Sequence, residues 1–189
     1  MRPADQRADD PPAAFRAALA ALRELTPRQE IELLEAPAPQ RLAPYAIALT
    51  ADVVIDDDEI GSGRLVLLHD PAGQDAWEGE WRVVVFGKAV QEQGVAGDAM
   101  LNEVGWSYLT EALEDARAAF TAFGGTVTTT HSQSYGAMSG REPTGELEIR
   151  ASWTPTDDRI AAHAVAWFGL LAHMTGLEPI PPGVSQLRR

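Results

Sequence analysis

Cysteine is absent from this chain of 189 residues, which removes disulfides, thiolate metal sites, iron–sulfur clusters and cysteine nucleophiles together. Positive charge is scarce, with 15 Lys and Arg against 28 Asp and Glu and a formal net charge of −13. Binding to nucleic acid or to an anionic membrane draws on Lys and Arg neutralising phosphates, so neither is expected of this chain unaided. The arginines are scattered singly apart from Arg188-Arg189. Met1 to Asp10 is polar and lacks the apolar centre of a secretory signal, and a cytoplasmic location follows as the expectation. The most apolar run, Thr156 to Thr175, carries Asp157, Asp158 and Arg159 at one end and His163 and His173 inside, so it reads as a buried core helix and not as a membrane span.

What is present suits one core. Hydrophobic residues make up 45% of the chain and charged residues 23%, and the length is too small for two ordinary domains. A single domain over residues 11–178 is expected, with polar tails at 1–10 and 179–189.

Asp10-Pro11-Pro12 followed by Phe15, Ala18, Leu19 and Leu22 predicts a first amphipathic helix. Glu30 to Leu34 predicts a short edge strand with outward glutamates, and Tyr45 to Val54 a second strand. The apolar runs Leu65 to Leu68 and Val83 to Phe86 flank a segment rich in Asp, Pro and Gly, and predict a hairpin. Since both faces of each run are apolar, the hairpin is expected mid-sheet and covered above and below. Gly61-Ser62-Gly63 and Gly124-Gly125 read as breaks. A second helix is predicted from Asp98 to about Phe120, a polar strand from Thr126 to Tyr135, and a one-sided strand from Glu146 to Trp153 with Leu147, Ile149, Ala151 and Trp153 inward. The order helix, four strands, helix, two strands, helix predicts an α+β fold with a mainly antiparallel sheet of about six strands. It is similar to the order in the bacterial secretion-chaperone fold, which has one strand fewer before its middle helix.

Signatures of chemistry are mostly missing. No dinucleotide fingerprint and no phosphate loop occurs, and the serine of Gly136-Ala137-Met138-Ser139-Gly140 is one place away from a nucleophile elbow. Asp56, Asp58 and Gly61 match part of a calcium loop, but Ile60 and Leu67 stand where ligands belong, so a solvated acidic turn is preferred. His163 and His173, ten residues apart on one helix, point about 80° away from each other. No metal and no cofactor is expected.

Two surfaces remain as candidates. The first is the loop from His69 to Gly79, where His69, Asp70, Asp75 and Trp77 gather an imidazole, carboxylates and an aromatic plate; the plainer alternative is that Asp70 shapes the turn and Trp77 covers the sheet. The second is the outward face of the last two strands, where Glu146, Glu148 and Arg150 form one row and Thr128 and Thr130, with Thr126 and Ser132, form another. His131 lies beside it in sequence. A carboxylate next to an arginine can grip an anion or move a proton, and can equally be a solvated strand face.

The segments Arg41-Leu42-Ala43-Pro44-Tyr45, Gly63 to Gly73 with Asp75-Ala76-Trp77, Gly125-Thr126-Val127-Thr128 and Glu148 to Pro155 resemble an actinobacterial family, domain of unknown function 3000, over about residues 13–178. The resemblance implies an actinobacterial, cytosolic protein and brings no activity or catalytic residue to carry over.

Three functional expectations follow. The first is a non-catalytic adaptor or chaperone-like domain that binds another protein or a second copy of itself, motivated by the missing catalytic signatures and by large apolar groups such as Trp77, Trp81 and Trp106. The second is an enzyme or small-molecule binder built from Arg150, Glu148, His69 and His131, which requires those side chains to meet in one cavity. The third, an accessory role in RNA processing, rests on gene neighbourhood within the resembled family and is opposed by the charge.

Overall fold

The computed structural model describes residues 10–91 and 98–178; residues 1–9 and 179–189 of the expected tails and most of the expected loop from Gln91 to Gly97 lie outside them. The elements run α1 (Ala13–Arg23), β1 (Ile31–Ala36), β2 (Tyr45–Ile55), β3 (Asp58–Gln74), β4 (Gly79–Gln91), α2 (Leu101–Asp115), β5 (Phe120–Ser132), β6 (Thr144–Pro155) and α3 (Ile160–Met174). The strands form one six-stranded sheet in the order β1-β2-β3-β4-β6-β5, with every neighbouring pair antiparallel. The chain is thus an α+β domain with the element order that the residue pattern predicts. The β3–β4 hairpin lies at the centre of the sheet, and β1 and β5 are its edges.

The alternation in β6 buries Leu147, Ile149, Ala151 and Trp153 under the helices. Val83, Val85, Leu65 and Leu67 join them on that face, and α3 contributes Trp167, Leu170 and Leu171 to the same core. The helix comes unusually close to the strands. A Cβ on Gly63 would stand 2.9 Å from Leu171 Cδ2 and 3.0 Å from Trp167 Nε1, and one on Gly87 2.9 Å from Met174 Sδ. Glycines here open a trough for α3, whose Trp167 Nε1 donates a 3.2 Å hydrogen bond to the Phe86 carbonyl. Among the described residues no helix is long and apolar enough to cross a membrane.

Four local expectations are corrected. Gly61-Ser62-Gly63 is strand, because its glycines answer the approach of α3; the real turn is Asp56-Asp57, both left-handed at φ 52° and 69°, the pattern of a two-residue type I′ hairpin. β3 continues through His69 to Gln74, so only its far end is loop-like. α2 stops at Asp115, and Phe120 opens β5. Gly124-Gly125 lies inside β5, beside a bulge between Thr121 and Gly124, where a Cβ on Gly125 would be 2.3 Å from the Arg150 carbonyl oxygen.

The expectation that the central hairpin is covered on both sides is also corrected. No described α-helix packs on the second face, which receives only the short 3₁₀ turn Asp75–Trp77 and the residues between β1 and β2. There Ala48, Val66 and Leu68 are buried under Trp77, Ala38 and Ala43, while Val84 remains 39% exposed. The residues between β1 and β2 fold over the β2–β3 half only, tethered by Arg64, whose Nη2 donates to the Pro37 carbonyl at 2.7 Å.

Candidate functional site

The antiparallel register stacks the uncovered face into transverse rows. One row reads Thr50, Arg64, Phe86, Arg150, Thr126 across β2, β3, β4, β6 and β5. The next reads Ala48, Val66, Val84, Ser152, Gly124. Between these rows on the β3–β4–β6–β5 side lies an open hollow of about 600 Å³ lined by Arg64, Val66, Val84, Phe86, Gly124 and Arg150 among others. The Arg150 guanidinium carbon lies 5.2 Å from the centre of the Phe86 ring, a cation–π arrangement. Its Nε donates to Glu148 Oε1 at 2.7 Å, and this carboxylate raises the guanidinium pKa.

Two residues before Val84 on β4 stands Arg82, outside the lining of the hollow but bonded to its Ser152. This side chain donates from Nη1 to the Ala122 carbonyl at 2.8 Å and to Thr154 Oγ1 at 3.3 Å, and from Nη2 to Ser152 Oγ at 2.6 Å. Ala122 sits in the β5 bulge at φ 47°, and its carbonyl accepts from the cation. Burial lowers the Arg82 pKa, opposed by the nearby Glu78 carboxylate. Beyond the Phe86–Arg150 pair the strands turn ionic. Lys88 pairs with Glu146 at 2.7 Å, which raises the lysine pKa. Thr128 stands opposite Glu148 and Thr130 opposite Glu146, so the polar platform expected of the last two strands does assemble.

The four-residue catalytic constellation does not assemble. Arg150 and Glu148 stand on the uncovered face, whereas His69 is 2% exposed on the helix side, stacked 4.0 Å from Trp81 with Phe15 at 6.0 Å and Tyr45 at 6.2 Å. His69 pairs with Trp81, one step beyond the Val83–Trp153 pair, while His131 pairs with Gly145 at the opposite end of β6. His131 is exposed and shares the strand side of Val127, which faces away from the Thr row. The Asp-Pro-Ala-Gly run after His69 predicts a loop headed by the histidine; in the fold His69 is an interior strand residue packed among rings.

The rest of that segment is scaffold. Asp70 Oδ1 accepts the Ala72 N–H and Oδ2 the Gln74 side-chain amide, both at 3.1 Å, and the Asp75 carbonyl accepts the Glu78 N–H at 3.2 Å. Trp77 roofs the Ala48–Val66–Leu68 cluster, and its carbonyl accepts the Thr154 hydroxyl. A second recess of about 890 Å³, where α1 turns into β1, holds Arg28 and Glu30, which pair at 2.9 Å. Among the described residues no group of three or more His, Asp and Glu is placed to hold a metal ion.

Arg64, Arg82, Val84, Phe86, Gly124 and Ser152 escaped the sequence reading. A signal was present: Arg82, Val84, Phe86 and Lys88 alternate with Val83, Val85, Gly87 and Ala89, and a strand side with a cation at each end belongs to a half-covered face.

Fold and site together define an α+β domain with helices on one face of its sheet and an arginine-flanked apolar hollow on the other. The chain belongs to the family described as protein of unknown function (DUF3000), whose model matches residues 11–185. No curated protein and no solved structure matches it.

Proposed function

We propose that this is a non-catalytic protein-binding domain of actinobacterial cytoplasm, adaptor or chaperone-like, that docks its partner on the uncovered sheet face. The observation that carries the reading is Val84, a β-branched apolar residue on a central strand, 39% exposed and bordered by Val66 and Phe86. Apolar side chains in the middle of a sheet are normally covered by the domain itself, and a contiguous uncovered patch rimmed by polar groups marks an interaction surface.

The test compares wild type with Val84→Asp, which places a carboxylate on the patch without touching the helix-side core. Affinity capture from native cells, read by quantitative mass spectrometry with light scattering for self-association, should return a stoichiometric partner or a second copy that the variant loses at an unchanged thermal midpoint. Identical binding profiles for the two proteins would refute the reading.

A further inference from the structure

We infer that the hollow receives an acidic segment of a partner protein, in which Asp or Glu side chains flank a Leu, Phe or Trp. This deepens the docking reading and rests on it. The chain carries nearly twice as many acidic as basic side chains, 28 against 15, yet the charged side chains lining the hollow are Arg64 and Arg150. A chain with a large acidic excess thus presents cations at this apolar hollow.

The geometry suits two carboxylates around an apolar group. Arg64, Phe86 and Arg150 occupy one row on β3, β4 and β6, so the two arginine Cα atoms stand two strand spacings apart, about 10 Å. Phe86 lies between them as an apolar floor that continues into Val84 and Val66. Guanidinium presents a planar fork of donors that matches a carboxylate. Glu148 holds the Nε edge of Arg150, and its Nη groups carry no hydrogen bond among the described residues; Arg64 uses Nη2 on Pro37. Each therefore keeps donors for an incoming anion. A Cβ on Gly124 would meet nothing within 4 Å, so the β5 rim of the hollow, across Ser152 from Val84, is open.

A protein segment fits better than a free small molecule. Sites for small molecules enclose most of their ligand, about 70–90% of its surface, and this hollow has a floor and a rim but no described element above it. A segment anchored by the rest of its own protein needs only to set down a side chain and its charged neighbours.

The test selects phage-displayed random dodecapeptides on the full chain and measures the winning synthetic peptide by fluorescence anisotropy against wild type, Arg150→Ala, Arg64→Ala and Val84→Asp, each checked for an unchanged circular dichroism spectrum. Winners rich in Asp and Glu around an apolar residue are expected, weakened about tenfold by each arginine substitution and weakened by raising salt. Winners without acidic residues that are lost by Val84→Asp but unaffected by the arginine substitutions would overturn the acidic partner while leaving the docking face intact. Acidic winners indifferent to both arginines would overturn it as well. Peptides indifferent to Val84→Asp, or no enrichment at all, would overturn the docking reading and this inference with it.

Discussion

Trp153 Nε1 donates a 2.9 Å hydrogen bond to Nδ1 of His163, joining β6 to α3 inside the core. The donor fixes the tautomer: Nδ1 accepts, so the histidine is neutral with its proton on Nε2, a nitrogen that is buried without a partner among the described residues. Burial is the main cause that lowers the His163 pKa from 6.5 to about 4; Asp157 raises it and Arg159 lowers it further.

A pH dependence of stability follows. The folded pKa lies below the unfolded one, so between about pH 4 and 6.5 the unfolded chain binds a proton that the folded chain refuses. The stabilisation is therefore complete above pH 6.5 and drains away as pH falls toward 4, by about 3 kcal/mol in all. His163→Asn keeps an acceptor for the indole and removes the titration. Urea unfolding from pH 7 to 4 should show a steeper acid loss in wild type than in the variant, and parallel curves would contradict the assignment.

Trp153→Ala should cost about 3–5 kcal/mol, since the ring is wholly buried. Trp153→Phe retains most of the packing but leaves Nδ1 of His163 without its donor, at about 1–3 kcal/mol. Thermal midpoints that order as wild type, Phe, Ala check both statements; a midpoint unchanged in the alanine variant would place the ring outside the core.

Arg82→Leu removes the donors to the Ala122 carbonyl, the Ser152 hydroxyl and the Thr154 hydroxyl at once. A loss of about 1–3 kcal/mol is expected, with faster hydrogen exchange in β5 near its bulge than in β3. Exchange slowed or unchanged there would show that the guanidinium does not hold the bulge.

The sequence made the scaffold legible because period-two and helical patterns are local: Leu147, Ile149, Ala151 and Trp153 announce their strand and its buried side without help from elsewhere. Gly61 and Gly63 misled because glycine in a sequence signals a turn, whereas their cause is Leu171, Trp167 and Thr175 in and just after a helix about a hundred residues away. His69 misled through its neighbours, since Asp70 and Gly73 do shape a turn but only after the histidine has entered the ring stack. The polar platform was legible once β5 and β6 were paired. The hollow was not, because Arg64, Phe86, Arg150 and Gly124 belong to four strands and share a surface only when three registers are fixed together.

The glycine trough sets an order of events during synthesis. The meander from β1 to β4 is complete by Gln91 and is built from sequence neighbours, the contacts that form fastest. Its floor at Gly63 and Gly87 is shaped for a helix that emerges from the ribosome only after Ile160. At a synthesis rate of about 5–20 residues per second, that floor waits several seconds unsealed. Through that interval the part of the face that α3 will cover stays open to its surroundings, so α3 acts as the closing wedge of the domain and its arrival ends that exposure.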